Sequence, residues 1–250
     1  MLTTEIVIPV YNEERDLAPS VRTLVEFLHG VSMFRASVVI ADNASTDGTL
    51  AVARELEREH PNVHALHIPR KGRGGALKIA WDASQADVVS YMDVDLSTNL
   101  RFFPLLIHGL SIGYDVAIGS RLLQASQTQR SLKREALSRT YNGLVKAMFF
   151  NRFSDAQCGF KAVRRDAARA LLPLVENTGW FFDTELLLQA ERRGYKIFEV
   201  PVEWIEDLDS RVRIVPTMIE DVRGLVRVRI AEFRRARTPS LPSNVRTRDA

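Results

Sequence analysis

One cysteine, Cys158, stands among 250 residues, so no disulfide can close within the chain, which suits a reducing compartment. Long apolar runs are missing too. A membrane-spanning helix needs roughly 20 apolar residues, and the longest candidate, FFPLLIHGLSIG, is short and interrupted by Pro104 and His108. The opening stretch MLTTEIVIPVYNEE has no basic segment and carries Glu5 early, so it reads as the start of the fold rather than a secretory signal. Neither charge sign dominates: the formal net charge is +3, too little to argue for a nucleic-acid partner. The five histidines, His29, His60, His64, His67 and His108, show no ligand or triad spacing, and Cys158 has no His or Asp partner, so it reads as a core residue. No internal repeat is present, and only residues 237–250, rich in Pro, Ser and Arg, have the composition of a disordered tail.

What remains is an ordinary globular balance, 46% hydrophobic and 26% charged. In the first half strands alternate with helices. EIVIPV (5–10), SVVIAD (37–42), 63–68, 87–92 and DVAIGS (115–120) are apolar and strand-like. Between them, 14–29, 47–59, 75–84 and 101–111 carry helical spacing. Strands apolar throughout, separated by helices, predict a mostly parallel sheet covered on both faces. Ligands of such sheets bind beyond the carboxyl ends of the strands. The second half predicts helices at 131–149, 166–175, 182–193 and 217–236, with strands in GFKAVR and IFEVPVEW. The last helix is basic, with apolar positions Met218, Ile219, Val222, Leu225, Val226, Ile230 and Phe233.

Unusual residues collect at the strand ends. Asp93, Val94 and Asp95 follow a buried-looking strand, and two carboxylates two residues apart call for a counter-charge. A hard divalent cation, Mg²⁺ or Mn²⁺, is one answer, because such ions take one or two carboxylates and complete their shell with water and substrate phosphate. A helix cap plus one exposed acid is the other. Asp42 directly follows four apolar residues, while Ser45 and Thr46 read as turn or cap residues. RKGRGGALK (70–78) is a basic glycine-rich loop whose cations, Lys71 and Arg73 among them, and backbone N–H groups can approach a diphosphate. It does not match the Walker A pattern, and a solvated turn is the alternative. Arg121 follows the strand DVAIGS, Arg134 and Ser138 lie four apart on a helix, and Asp155 precedes a strand. Trp180 and Asp183 open a helix, either as a hydrophobic staple with dipole-favoured acids or as a sugar or acceptor contact.

Taken together, IVIPVYNEE, ADNASTDGT, KGRGGALK, DVDLS, GSR, DAQCGFK and WFFDTELL occur in the order and rough spacing of the family 2 inverting glycosyltransferases. Over about residues 4–230 the chain resembles the polyprenyl-phosphate sugar synthases of that family, especially the dolichyl-phosphate β-glucosyltransferase branch. The resemblance implies a GT-A-type, Rossmann-like α/β fold in one domain over 1–233 that includes the helix near 217–236. It implies that Pro9, Tyr11, Glu13 and Asp42 line a nucleoside pocket, that Asp93 meets the ribose or donor sugar, and that Asp95 holds the metal. Arg121, Arg134 and Ser138 match positions that grip an acceptor phosphate, Asp155 a base or acceptor organiser, and Arg211 and Arg213 a basic segment closing over the donor phosphates.

Two departures stand out. Mannosyl relatives often carry Gln where this chain has Ser97, and many polyprenyl-phosphate enzymes carry C-terminal membrane spans for which no counterpart is read here. The implied reaction is inverting transfer of a sugar, with UDP-glucose the favoured donor, to polyprenyl phosphate in a membrane. The chain is expected at the cytoplasmic face as a peripheral protein, the basic helix either docking there or packing on the domain, and a homo-oligomer is compatible with this. Other readings stay open: GDP-mannose as donor, a soluble saccharide as acceptor, a sugar-1-phosphate nucleotidyltransferase, and a sugar-nucleotide-binding module without catalysis.

Overall fold

The computed structural model describes residues 1–206 and 214–237. In chain order it runs β1 (Thr3–Val10), α1 (Leu17–His29), β2 (Arg35–Asn43), α2 (Thr49–Glu59), β3 (Val63–Ile68), α3 (Arg73–Ala83), β4 (Val88–Met92) and α4 (Phe103–Ser111). Then come β5 (Val116–Ser120), β6 (Gln127–Gln129), α5 (Leu132–Phe149), β7 (Phe160–Arg164), α6 (Arg165–Leu171), α7 (Phe182–Arg192), β8 (Ile197–Pro201), β9 (Glu203–Ile205) and α8 (Ile214–Arg237). The alternation of side chains along each strand divides the apolar residues between two cores. Ile6, Ile8, Val38, Ile40, Val88 and Ala117 pack under α1, α2 and α4, whose inward stripes include Leu17, Val21 and Leu24, then Ala53 and Leu56, then Phe103, Leu106 and Leu110. Val7, Val39, Val89, Tyr91, Val116 and Ile118 meet α3, α5, α6, α7 and α8 on the other face.

The sheet order is β3-β2-β1-β4-β7-β5-β8. All neighbours are parallel except β7, which runs antiparallel to both β4 and β5. An apolar run such as FKAV does not encode its direction. β5 ends and β7 begins at the same edge of the sheet, so β7 runs back against its neighbours. IFEVPVEW, read as one strand, divides at Val202: β8 joins the main sheet, while β9 pairs with β6 in a two-stranded ribbon. That ribbon bridges back through Trp204 to Thr98 and so covers the exit of β4. The helix expected over 166–175 ends at Leu171 and continues as a 3₁₀ turn over Leu172–Leu174, where Pro173 supplies no N–H.

The apolar positions of α8 do not form one stripe. Leu225 and Val228 join the core, while Met218, Ile219, Val222, Val226 and Ile230 are exposed on another side of the helix. The side chain of Phe233 lies outside the described residues, as does the expected tail beyond its first residue, Arg237, which ends α8.

Candidate active site

The carboxyl ends of β1, β2 and β4 converge on one edge, and each is followed by a non-glycine residue in the left-handed region: Asn12 (φ 59°), Ala44 (φ 60°) and Leu96 (φ 48°). Such conformations cost energy and persist where surrounding contacts enforce them. Asn12 is held across to the next loop, its N–H donating to Ser45 Oγ (3.0 Å) and its Oδ1 accepting from Thr46 N (2.8 Å). Asp42 is fully buried at the end of β2, with Oδ1 accepting from Ser45 N at 3.2 Å and Oδ2 2.6 Å from Nδ1 of His67. His67 escaped the sequence reading because its only signal is register, Asp42 lying opposite it in the parallel β2–β3 pair. Lys71 places its ammonium 3.5 Å from the Tyr11 ring centroid, a cation–π contact. Pro9 is the penultimate residue of β1, opposite Ala41 of β2, and Glu13 N donates to Thr49 Oγ1 at 2.8 Å.

The basic loop is pinned before it enters α3. Gly72 N donates to Asn43 Oδ1 at 2.6 Å. Its φ of +153° and the carbonyl oxygen of Thr178, 2.7 Å from where a β-carbon would sit, leave room only for glycine. Arg73, next in line, turns inward instead of toward solvent. Its Nη2 donates to Asp93 Oδ1 and its Nη1 to Asp183 Oδ2, both at 2.7 Å, and its guanidinium lies between the rings of Tyr91 (4.8 Å) and Trp180 (5.0 Å). Beneath it the fully buried Lys161 reaches Asp183 Oδ1 (3.0 Å), Cys158 O (2.5 Å) and the Tyr91 hydroxyl (3.2 Å). Tyr91 also donates to Asp183. The counter-charge to Asp93 is therefore Arg73, within a balanced set of two cations and two carboxylates. Burial alone would raise Asp183, but Lys161 and Arg73 outweigh it and hold the carboxyl below its usual range. Burial likewise pushes the Tyr91 phenol well up.

Asp93, Asp95, Ser97, Gly159 and Trp204 line one small recess at the exit of β4. Asp93 is half-exposed and lies over Gly159 so closely that a β-carbon there would fall 1.7 Å from Asp93 Oδ2. Asp95 is exposed, its Oδ1 accepting from Ser97 N at 2.9 Å, while Val94 packs against the core. Ser97 Oγ is buried with no hydrogen-bond partner. Two carboxylates and a spare hydroxyl form an all-oxygen donor set, which suits a hard divalent cation. No group of three or more His, Cys, Asp or Glu side chains that could hold a metal occurs among the described residues. The protein thus fits an ion that takes its remaining ligands from water and substrate.

On the far side of β7, Asp155 is fully buried and clamped by Arg121 through Nε (2.7 Å), Nη2 (2.9 Å) and backbone N (3.1 Å). Burial opposes ionisation, but Arg121 prevails and holds the carboxyl at about 2. Arg121 also lies 5.5 Å from the Trp204 ring. Two residues expected in separate roles thus form one ion pair. Arg134 is instead paired with Glu206 (2.9 Å), and Ser138 offers a buried Oγ with no partner. Cys158 is a core residue whose thiol burial pushes up to about 12. Trp180 is partly exposed over Arg73, whereas Asp183 is almost wholly buried beneath it, held by three partners. Gly159, Lys161 and Trp204 were not singled out in the sequence, since the neighbours that give them meaning lie tens of residues away. Arg211 and Arg213 lie outside the described residues.

Residues 5–172 match the family described as Glycosyl transferase family 2. Glycosyltransferase AglD of Haloferax volcanii is 39% identical over 223 residues, 88% of this chain but 35% of that protein. The chain thus spans about a third of that relative's length. Dolichyl-phosphate beta-glucosyltransferase ALG5C of Trichomonas vaginalis is 30% identical over 239 residues, 91% of this chain and 71% of the relative. Among solved structures, glucosyl-3-phosphoglycerate synthase from Mycobacterium tuberculosis, in complex with Mn²⁺, UDP-glucose and phosphoglyceric acid, superposes with a TM-score of 0.70. It is 19% identical, covering 92% of this chain and 80% of that one, and so bears on the fold alone, which is of the same GT-A-like kind.

Proposed function

The chain belongs to glycosyl transferase family 2 and is a glycosyltransferase, and from that premise we propose that it transfers glucose from UDP-glucose to a polyprenyl phosphate with inversion at the anomeric carbon. The observation that carries this reading is the division of the sheet's ligand edge by β7. Asp42, Tyr11 and Lys71 stand on one side for a nucleoside, Asp93 and Asp95 at the centre for a diphosphate, and Arg121 with the unpartnered Ser138 hydroxyl on the other side for a second phosphate. Relatives named as dolichyl-phosphate glucosyltransferases support the glucosyl donor and the lipid acceptor.

A phosphate monoester with a second pKa near 6 is largely dianionic at neutral pH, so its oxygen attacks C1 of the sugar without a base. The C1–O bond to the diphosphate breaks and its electron pair leaves with UDP. Asp155, held at about 2 by Arg121, stays ionised; its part is to aim Arg121. Arg73, with Trp180 against it, fixes Asp93 at the donor sugar, and Trp204 walls the recess. Asp95 and Asp93, with Ser97 Oγ beside them, would hold a divalent cation, which supplies charge neutralisation for the departing diphosphate. Catalysis then rests on positioning and electrostatics.

A lipid acceptor requires contact with a membrane surface. The exposed face of α8, Met218, Ile219, Val222, Val226 and Ile230 with Arg223 and Arg234 nearby, has the composition of an interfacial helix. No helix among the described residues is long and apolar enough to cross a membrane.

The test is transfer from UDP-glucose to a short polyprenyl phosphate in the presence of Mn²⁺, run beside GDP-mannose and beside soluble sugar acceptors. Glucosyl lipid as the main product is expected; preference for another donor or acceptor overturns the assignment. Asp95→Ala is expected to abolish turnover even with abundant metal, and near-wild-type rates from it would remove the metal role.

A further inference from the structure

Three consecutive residues on the acceptor side are each anchored by a different element. Asp155 is clamped by Arg121 at the end of β5. Ala156 N donates to Asn142 Oδ1 on α5 at 2.9 Å. Gln157 donates its backbone N–H to Asp155 Oδ1 at 3.1 Å and its side-chain Nε2 to Asp221 Oδ2 on α8 at 2.8 Å. Asp221 is 2% exposed, and its other oxygen, Oδ1, is buried without a partner. Among the described residues no donor-side group hydrogen-bonds this carboxyl, and it sits 64 residues from the Gln157 it holds.

We propose that Asp221 is a positioning residue of the acceptor side that works in its proton-bearing form, holding Gln157 and through it the Asp155–Arg121 pair, and that its ionisation weakens capture of the phosphate acceptor. One oxygen accepts from Gln157, and the other is buried without a partner, a setting in which a neutral carboxyl costs less than an unpaired carboxylate. Without the proton, a negative charge is added beside the place where an anionic phosphate must bind. The ionisable groups facing Asp221 are Glu220 on its own helix, Asp183 on α7 and Tyr141 on α5; they carry negative charge or none. Burial, then these carboxylates, push Asp221 up to about 7 against the Gln157 hydrogen bond, so the two forms exchange near neutrality. This role rests on the proposed transfer to a phosphate acceptor.

The experiment measures kcat and KM for a short polyprenyl phosphate between pH 6 and 8.5, with UDP-glucose saturating, for the full chain and for Asp221→Asn. The acceptor's own titration is common to both enzymes, so the ratio of wild-type to variant kcat/KM isolates Asp221. That ratio is expected to fall by roughly tenfold between pH 6 and 8, as one titrating group demands. The change should lie in acceptor KM while the KM of UDP-glucose stays level. Gln157→Ala is expected to lower acceptor kcat/KM and flatten the same limb, and a UDP thermal-shift measurement on each variant reports that the donor half is folded. A ratio that does not vary with pH, or a donor KM that moves with it, overturns the role of Asp221. A wild-type chain that binds UDP-glucose yet transfers nothing to the lipid phosphate fails the functional reading itself, and the proposal falls with it.

Discussion

Replacing Gly159 with alanine separates the geometry of the site from the stability of the fold. The added β-carbon would fall 1.7 Å from Asp93 Oδ2 and 2.4 Å from its Cγ, where ordinary contact begins at 3.4 Å. The carboxylate must therefore retreat by more than an ångström. Gly159 is not among the glycines with positive φ, so the backbone accepts alanine without strain, and Asp93 is exposed enough to swing toward solvent. The stability lost is about one hydrogen bond to a charged group, the Arg73–Asp93 contact, worth roughly 2 kcal/mol, because Arg73 keeps Asp183. For a chain of this size that is a fall in Tm of about 4–8 °C. Displacement of a reacting-site group by an ångström costs about a hundredfold in rate. Steady-state transfer read beside a thermal melt should show that split. Wild-type kcat/KM in a variant whose melt is also unchanged would refute the claim that Asp93 must stand where Gly159 allows it.

Asp155→Asn leaves the guanidinium of Arg121 buried without its partner and is expected to cost about 3 kcal/mol or more in denaturant unfolding. Because the Asp155 carboxyl is held at about 2, wild type should shed roughly 2 kcal/mol as pH falls from about 4 through 2, a loss absent from the variant. Arg73→Lys keeps the charge but cannot bridge two carboxylates with a planar fork, so UDP-glucose KM should rise several-fold with a fall in Tm like that of Gly159→Ala; an unchanged KM would show that Asp93 needs no strut. Asp221 has its carboxyl raised to about 7, so wild type loses stability as pH climbs from about 4 to 7, and Asp221→Asn should melt higher at pH 8, by up to roughly 4 kcal/mol, with the two curves meeting near pH 4. Val222→Glu with Ile230→Glu should leave the melt within about 0.5 kcal/mol yet abolish flotation with anionic liposomes; retained flotation would move membrane contact elsewhere.

Most element positions were readable because both signals were strong: strands of five to nine residues apolar throughout, and helices such as α1, with Leu17, Val21, Leu24 and Leu28 on one face. Direction was not readable. FKAV looks the same whichever way it pairs, and only the sheet reveals β7 as the reversed strand. Within the site, Asp42, Asp93 and Asp95 announced themselves as charges following apolar runs. Their partners did not. Arg73 was read as a cation facing a diphosphate, and its link to Asp183 spans 110 positions. Lys161 sits within an apolar strand and gains meaning only when Asp183 is placed beside it. Asp221, on a helix read for its arginines, is identified only by the side chain of Gln157.

The reversed strand has a consequence for how such a chain can change. Parallel strands deliver their trailing residues to the ligand edge, and any alteration there disturbs the start of a following helix. A strand running the other way delivers the residues that precede it, so the stretch from Ser154 to Gln157 is fixed by its own side-chain tethers and leads into a strand rather than a helix. Lengthening or rewriting that stretch leaves the nucleotide side's strand–helix junctions untouched, so one half of the edge can take a new receiving molecule while the other keeps its donor.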